Sequence, residues 1–216
     1  MLWAAARRAY RQKPLAEALF GVRLGPIGSD DYYFDLTSFA LLRRALKVVD
    51  ADTRVVDLGA GAHAIVGLAL WRRRGCPVIS VEIDPALTAL ARESVARNDA
   101  AISVCCGSFF QCVEEPFDLV VFNPPYIPTE SGLGEGLSET RRSQWDGGAS
   151  GAEVIESFLD AALTLPHPFR VLMGVNRMHV SEERVVGEIL ARPTLDLIGC
   201  HQMPIIPAVI YDFARR

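Results

Sequence analysis

Asn123, Pro124, Pro125 and Tyr126 end the stretch DLVVFNPPYIP (Asp118–Pro128), where residues suited to a buried strand run straight into a motif that invites chemistry. An asparagine side chain offers an acceptor oxygen and a donor NH2 in one plane, and proline has a locked φ and no backbone N–H. Two prolines in succession therefore hold the carbonyl of Pro124 rigidly outward. A planar NH2 group on a substrate can donate one hydrogen to the Asn123 oxygen and the other to that carbonyl. Its nitrogen lone pair is then aimed at a neighbouring electrophile, and Tyr126 can cover one face of the planar group. Orientation carries much of such a reaction. No strong general base is needed, because the proton can leave after transfer, and the chain shows no obvious acid–base dyad.

The electrophile needs its own cradle, and DLGAGA (Asp57–Ala62) offers one. Glycines at the end of a strand let the backbone approach a ligand, and a following helix presents free amide groups. A nicotinamide cofactor would want GxGxxG, but the third glycine position counted from Gly59 is Ala64. A P-loop would want GK[ST], and there is none. The next strand ends at Glu82, about twenty residues past the turn, where a carboxylate can accept both ribose hydroxyls of an adenosine group. Asp84 competes for that role but falls beyond the strand's end. The alternative for Gly59, Gly61 and Glu82 is a plain strand-to-helix turn followed by a surface acid.

These residues must be positioned by an alternating architecture. RVVDLGAG, PVISVEID, AISVCC, FDLVVF and FRVLMGVN read as apolar strands, with helices between them and after the last; LDLIGCHQM and PAVIYDFARR read as two closing strands. Strands apolar on both sides and alternating with helices predict a doubly wound, mostly parallel seven-stranded sheet, with an antiparallel C-terminal hairpin. Residues 1–50 read as an N-terminal helical segment packed on the core. There Pro14 interrupts one or two short helices, and Asp35 or Thr37 caps a further helix that runs to Lys47. Residues 51–216 form the main domain. Its stretch at about 124–150 is rich in Gly, Ser and Pro, without a clear period, and reads as a functional loop.

Composition narrows the class. The chain has 216 residues, half of them hydrophobic, and a net charge of −4, which fits one globular domain and gives no electrostatic footprint for wrapping nucleic acid. Five cysteines without a CxxC pair predict neither a disulfide framework nor a zinc knuckle; reduced thiols and a cytoplasmic location are expected, with no metal. No apolar run reaches the roughly 18 residues of a membrane span. The N-terminal Arg7, Arg8, Arg11 and Lys13 fit an amphipathic leading helix or a transit peptide.

With VVDLGAGA, VISVEIDP and FDLVVFNPPY in place, the chain from about Arg54 to the end of its fifth strand resembles the class I S-adenosylmethionine-dependent methyltransferases. The resemblance implies a Rossmann-like fold and S-adenosyl-L-methionine as cofactor. The implied contacts are Asp57, Gly59, Ala60 and Gly61 at the glycine turn, Glu82 and Ile83 at the second strand, Ser108 and Phe109 near the adenine, and Asn123. Many relatives read GTGSGA where this chain has GAGAHA, so His63 replaces a glycine; its imidazole touches the cofactor carboxylate or caps the turn. Ser108 stands where relatives often carry an acid, and both phenylalanines after it can instead be core.

In that family the motif [DNS]PP[YFW] marks methylation of amide, adenine amino or cytosine amino nitrogens. The chain is most similar to the HemK-type glutamine methyltransferases of translation release factors, in their short eukaryotic and archaeal form, through NPPYIPTE and WDGGASGAEVIESFLDAAL. A Glu-Asp-Thr element of that form is matched only loosely, by Asp35 and Thr37. The resemblance implies a release-factor-like protein substrate and a possible small activator protein. An adenine amino methyltransferase of RNA or DNA, with Arg141 and Arg142 toward phosphate, or a small-molecule enzyme with Trp145 closing over its substrate, are the alternatives.

Overall fold

A computed structural model describes residues 8–28, 32–204 and 206–216. Among the described residues, helices α1 (Lys13–Phe20) and α2 (Leu36–Ala45) stand before the first strand, and residues 8–10 are helical as well. Then follow β1 (Val55–Leu58), α3 (Ile65–Arg74), β2 (Val78–Glu82), α4 (Pro85–Arg97), β3 (Ser103–Cys106) and β4 (Leu119–Phe122). Short helices α5 (Thr129–Gly134) and α6 (Arg142–Trp145) lead into α7 (Glu153–Leu163), β5 (Phe169–Asn176), α8 (Glu182–Leu190), β6 (Leu195–Gln202) and β7 (Ala208–Arg215).

The seven strands form one sheet in the order β3-β2-β1-β4-β5-β7-β6. β1 pairs in parallel with both β2 and β4, while β7 runs antiparallel to β5 and β6. Alternate side chains of each strand feed opposite faces, as the pleat dictates. Leu119, Val121 and Leu172 join Leu41, Leu42, Leu68 and Leu70 of α2 and α3 on one side. Val120, Phe122, Val171 and Met173 join Ile155, Phe158 and Ile189 of α7 and α8 on the other. The predicted sheet is therefore present, covered on both faces, with its antiparallel C-terminal hairpin.

Several local expectations change. The break near Pro14 falls at Arg11–Gln12, after helical residues 8–10, and Pro14 itself sits in the first turn of α1, where its missing N–H costs nothing. Asp35, not Thr37, caps α2: its carboxylate accepts from the Ser38 amide at 2.6 Å. The helix after the glycine turn starts at Ile65, because Gly61–His63 form a 3-10 turn and Ala64 is left-handed at φ 45°. The Gly-rich segment at 124–150 carries two short helices and is tied down by a parallel bridge between Ile127 and Asp146. The Asp146 carboxylate accepts from the Thr129 hydroxyl at 2.6 Å and from the Gly148 amide at 3.0 Å. Thus the Pro-Thr and Gly-Gly elements, far apart in sequence, are one unit in space.

The expectation of reduced thiols is overturned at one pair: Cys105 and Cys112 form a disulfide, while Cys76, Cys106 and Cys200 are free. Spacing rules look for CxxC or conserved frameworks. This bridge instead follows from the turn at Gly107–Gln111, which folds Cys112 back against the end of β3. Among the N-terminal basic residues, Arg7 lies outside the described residues. No helix among the described residues is long and apolar enough to cross a membrane.

Candidate active site

Strand order reverses between β1 and β4: β2 and β3 extend the sheet on one side, β5, β7 and β6 on the other. In open α/β sheets ligands bind outside the carboxyl ends of the strands at such a switch point. Leu58 is paired with Phe122, so the residues that follow, Gly59 and Asn123, leave the sheet side by side. A cavity of about 1150 Å³ opens there. It exceeds the roughly 300–1,000 Å³ of ordinary ligand pockets, and it runs from the glycine turn past Asn123 and Tyr126 to Trp145 and His179.

The glycine turn forms one wall. Gly59 and Gly61 both sit at φ 62°, a left-handed conformation that side chains with a Cβ resist. A Cβ at Gly59 would press on the Phe122 ring at 3.3 Å, whereas one at Gly61 would meet nothing within 4 Å and would project into space a ligand could use. The Glu82 carboxylate crosses from β2 to accept from the Gly61 amide at 2.8 Å and from the Asp84 amide at 3.0 Å. Burial pushes its pKa up, against those same amides. Asp84 itself caps α4, accepting from the Ala86 amide at 2.8 Å, and of the two acids only Glu82 lines the cavity.

Ile83, 55% exposed, and the Gly107–Phe109 turn complete this end of the cavity. Phe109 also packs on Phe122 and Phe158, with centroids 6.3 and 5.9 Å apart, while Phe110 belongs to the core beside Phe117. One phenylalanine is thus both wall and core, and the other is core. The cradle fits an adenosine-bearing cofactor: a buried, acceptor-only carboxylate for a diol, an apolar side chain and turn for a purine, and glycines open to the ligand.

Asp57 does not belong to the cavity wall. Its side chain turns beneath the glycine turn and accepts from the Gly67 amide of α3 at 2.9 Å. Burial pushes its pKa up to about 7, with the charge of Glu82 adding to the rise and the Gly67 amide opposing it. A strand residue one step from the turn points into the sheet–helix layer rather than out of the end, so its role is to hold α3 against β1. His63 is buried at the cavity wall: it stacks on Tyr33 at 5.3 Å, and its Nδ1 lies 2.9 Å from the Ser94 hydroxyl.

At the other wall, Asn123 is gripped by the start of α2. Its Nδ2 lies 3.0 Å from Ser38 Oγ and 3.2 and 3.3 Å from the two oxygens of Asp35, while its Oδ1 is buried without a partner. The Tyr126 hydroxyl lies 2.9 Å from Thr37 Oγ1 and 3.5 Å from Asp35. Burial, then the Asp35 charge, raises its pKa well above the usual phenol range, so it stays neutral. The ring of His179 lies 5.9 Å from that of Tyr126, and burial lowers its pKa. Asp35 and Thr37 were legible in the sequence only as helix caps and as a loose match; Ser38, Tyr33 and His179 carried no signal.

Fold, cradle and motif define a class, and comparison with known proteins agrees. The family described as Methyltransferase small domain matches residues 32–138. A crystal structure of a methyltransferase from Pyrococcus furiosus has the same fold, with a TM-score of 0.70 at 17% identity, covering 100% of this chain and 98% of that one. Residues 32–138 thus match a methyltransferase domain, and the fold is the one shared by S-adenosylmethionine-dependent methyltransferases.

Within that class, a putative protein N5-glutamine methyltransferase of Methanocaldococcus jannaschii is 29% identical over 122 residues, 56% of this chain and 59% of that protein. A release factor glutamine methyltransferase of Geobacter sulfurreducens is 31% identical over 62% of this chain and 48% of its own length. A tRNA1(Val) (adenine(37)-N6)-methyltransferase of Aeromonas salmonicida is 31% identical over 48% of this chain and 43% of its own length. The chain thus spans 43–59% of these relatives' lengths.

Proposed function

We propose that the protein is an N-methyltransferase acting on a planar NH2 group, with a glutamine side-chain amide of a release-factor-like protein as its substrate. The observation that carries this reading is the buried, unpartnered Oδ1 of Asn123 beside the glycine turn. A buried acceptor without a donor costs free energy, and a substrate amide supplies the missing hydrogen. S-adenosyl-L-methionine, when bound, would supply an electrophilic methyl group, its sulfur keeping the electron pair of the broken S–CH3 bond and leaving as the neutral thioether of S-adenosylhomocysteine. Gly59, Ala60, Gly61, Glu82, Ile83, Ser108 and Phe109 hold it. Asn123 Oδ1 accepts one hydrogen of the substrate NH2 and the Pro124 carbonyl the other. Pro125 keeps that carbonyl in place, and Tyr126 covers one face. Drawing on both hydrogens favours the pyramidal nitrogen that forms as the methyl arrives, and the proton leaves afterwards to solvent.

In this reading the helical segment 1–50 buttresses a methyltransferase domain at 51–216, whose segment at about 124–150 meets the substrate. Two relatives named for glutamine methylation support the protein substrate, and a cytoplasmic site of action follows from release factors as targets. A small activator protein is part of the same proposal. The tRNA relative favours a second reading, an adenine amino group; its amine is planar too, so the catalytic steps are unchanged.

The test is incubation with labelled cofactor and a release factor, ribosomal RNA, transfer RNA or small amines, with and without candidate activators. Label is expected in the release factor. Asn123→Ala is expected to lower transfer by at least about a hundredfold, the usual scale for one preorganised polar contact to the reacting group, with cofactor affinity within about threefold. Label confined to RNA would replace the first reading with the second. Loss of cofactor binding in Asn123→Ala would overturn the division between cradle and acceptor motif.

A further inference from the structure

An asparagine amide is nearly symmetric in shape and opposite in chemistry at its two ends. Turned one way, Asn123 presents an acceptor to the cavity; turned the other, it presents two donors to a substrate NH2 that has only donors to offer in return. A methyl acceptor would be repelled by half of a randomly oriented population. Something must therefore break the symmetry, and the residues that can do so come from 85 to 88 positions earlier in the chain.

We infer that Asp35, assisted by Ser38, is the positioning residue that fixes the Asn123 amide with its oxygen toward the substrate. The inference rests on the reading of Asn123 as the acceptor for a substrate NH2. Three acceptor atoms surround the nitrogen end: Asp35 Oδ1 at 3.2 Å, Asp35 Oδ2 at 3.3 Å and Ser38 Oγ at 3.0 Å. The two amide hydrogens are shared between the carboxylate and the hydroxyl. The reversed orientation would set the Asn123 oxygen against a carboxylate, oxygen to oxygen, and a carboxylate has no hydrogen to give. Charge-assisted hydrogen bonds are the stronger kind, so the bias toward the observed orientation is roughly 10- to 100-fold. The carboxylate also draws positive character to the Asn123 nitrogen and so leaves its oxygen a better acceptor.

Asp35 is itself held. It caps α2 by accepting from the Ser38 amide at 2.6 Å, which sets its carboxylate before Asn123 arrives. The far end of α2 is anchored as well: Arg44 reaches the buried Asp212 carboxylate at 2.6 Å, and Arg170 reaches it at 2.7 Å. The helix thus presents a preformed acceptor pair to the end of β4, and Asn123 turns its NH2 into it.

The experiment reads orientation and catalysis separately. With asparagine labelled by 15N, the side-chain NH2 of Asn123 is expected to show two inequivalent protons that exchange slowly with solvent. In Asp35→Asn, which keeps a good helix cap, exchange is expected to quicken about tenfold or more; Ser38→Ala, which leaves the cap side chain intact, is expected to give a smaller effect of the same sign. In methyl transfer, Asp35→Asn is expected to lower kcat about 10- to 100-fold, with cofactor affinity within about threefold.

The decisive variant is an exchange of the two groups. Asn123→Asp alone sets two carboxylates face to face and is expected to lose at least about a hundredfold in activity. Combined with Asp35→Asn, the amide at position 35 can donate to the carboxylate at position 123, whose second oxygen still faces the cavity, and at least about tenfold of the loss is expected to return. Unchanged exchange of the Asn123 protons in Asp35→Asn, or a double variant no better than Asn123→Asp with its melting temperature preserved, overturns the inference. If the wild-type protein methylates none of the NH2 substrates, the proposed function fails, and the exchange measurement still decides the role of Asp35.

Discussion

Glu82 shows how a single residue couples the cradle to pH. Its carboxylate accepts two backbone amides at 2.8 and 3.0 Å, but its burial raises its pKa. In the free protein the carboxyl therefore holds its proton at pH values where an exposed glutamate has lost it. A ribose diol is best bound by the ionised form, so cofactor affinity is expected to weaken as pH falls through that raised pKa. Titration calorimetry across mildly acid pH measures this directly. Glu82→Gln is expected to weaken binding by roughly 10- to 100-fold at neutral pH, the scale of a hydrogen bond to a charged group, and to abolish most of the pH dependence. A dependence that persists in the variant would assign the titration to another group.

At the scale of elements, the turn after β3 is held by a bond that spacing did not announce. Cys105 ends up opposite Val81 in the sheet, and its partner Cys112 lies seven residues on, closing a loop that contains the cavity residues Gly107, Ser108 and Phe109. Phe109 sits there at φ 47°, a conformation an unconstrained phenylalanine seldom adopts. Closing a loop this short removes unfolded-chain entropy worth about 2 kcal/mol. Replacing both cysteines by serine is expected to lower the melting temperature by roughly 4–8 °C, and to weaken cofactor binding more than it weakens methyl transfer at saturating cofactor. Intact mass without reductant checks the bridge, and calorimetry checks the stability. An unchanged melting temperature in the presence and absence of reductant would show that the turn is held without it. The elements themselves were largely visible in the sequence: apolar runs gave the strands, and Gly75 ends α3 in a left-handed turn, whereas the cap that Asp84 provides for α4 was not read there.

For the molecule as a whole, the two buried aspartates pull stability in opposite directions with pH. Asp212 is fully buried, and although burial raises its pKa, the guanidiniums of Arg170 and Arg44 hold it below the usual carboxylate range. Its contribution is present above the unfolded pKa and is lost in acid. Asp57 is the reverse case, with its pKa pushed up to about 7. Between about pH 4 and 7 the unfolded chain has released this proton while the folded one retains it, so stability falls as pH rises. The full span is on the order of 4 kcal/mol. Urea titrations at pH 4.5 and 7.5 are expected to show most of that loss in the wild type, and Asp57→Asn, which cannot ionise, is expected to remove it and leave the decline that the raised pKa of Glu82 adds with the same sign. A variant with an unchanged slope would place the titration elsewhere.

The sequence by itself determined the class. Alternating apolar strands and helices, two glycines after β1, an acid closing β2 and Asn-Pro-Pro-Tyr closing β4 are each local, and their chemistry can be read without knowing what lies across the sheet. Only the tertiary structure decided which of these residues meet. It turned Asp57 under the cradle and His63 back toward Ser94, joined Cys105 to Cys112, and brought Asp35 and Ser38 to the amide of Asn123. The physical reason is that a side chain's role depends on the direction in which its element exposes it and on partners supplied by distant segments. The asparagine that closes β4 was legible in the chain; the carboxylate and hydroxyl that hold its NH2 became visible only once α2 lay across the end of β4.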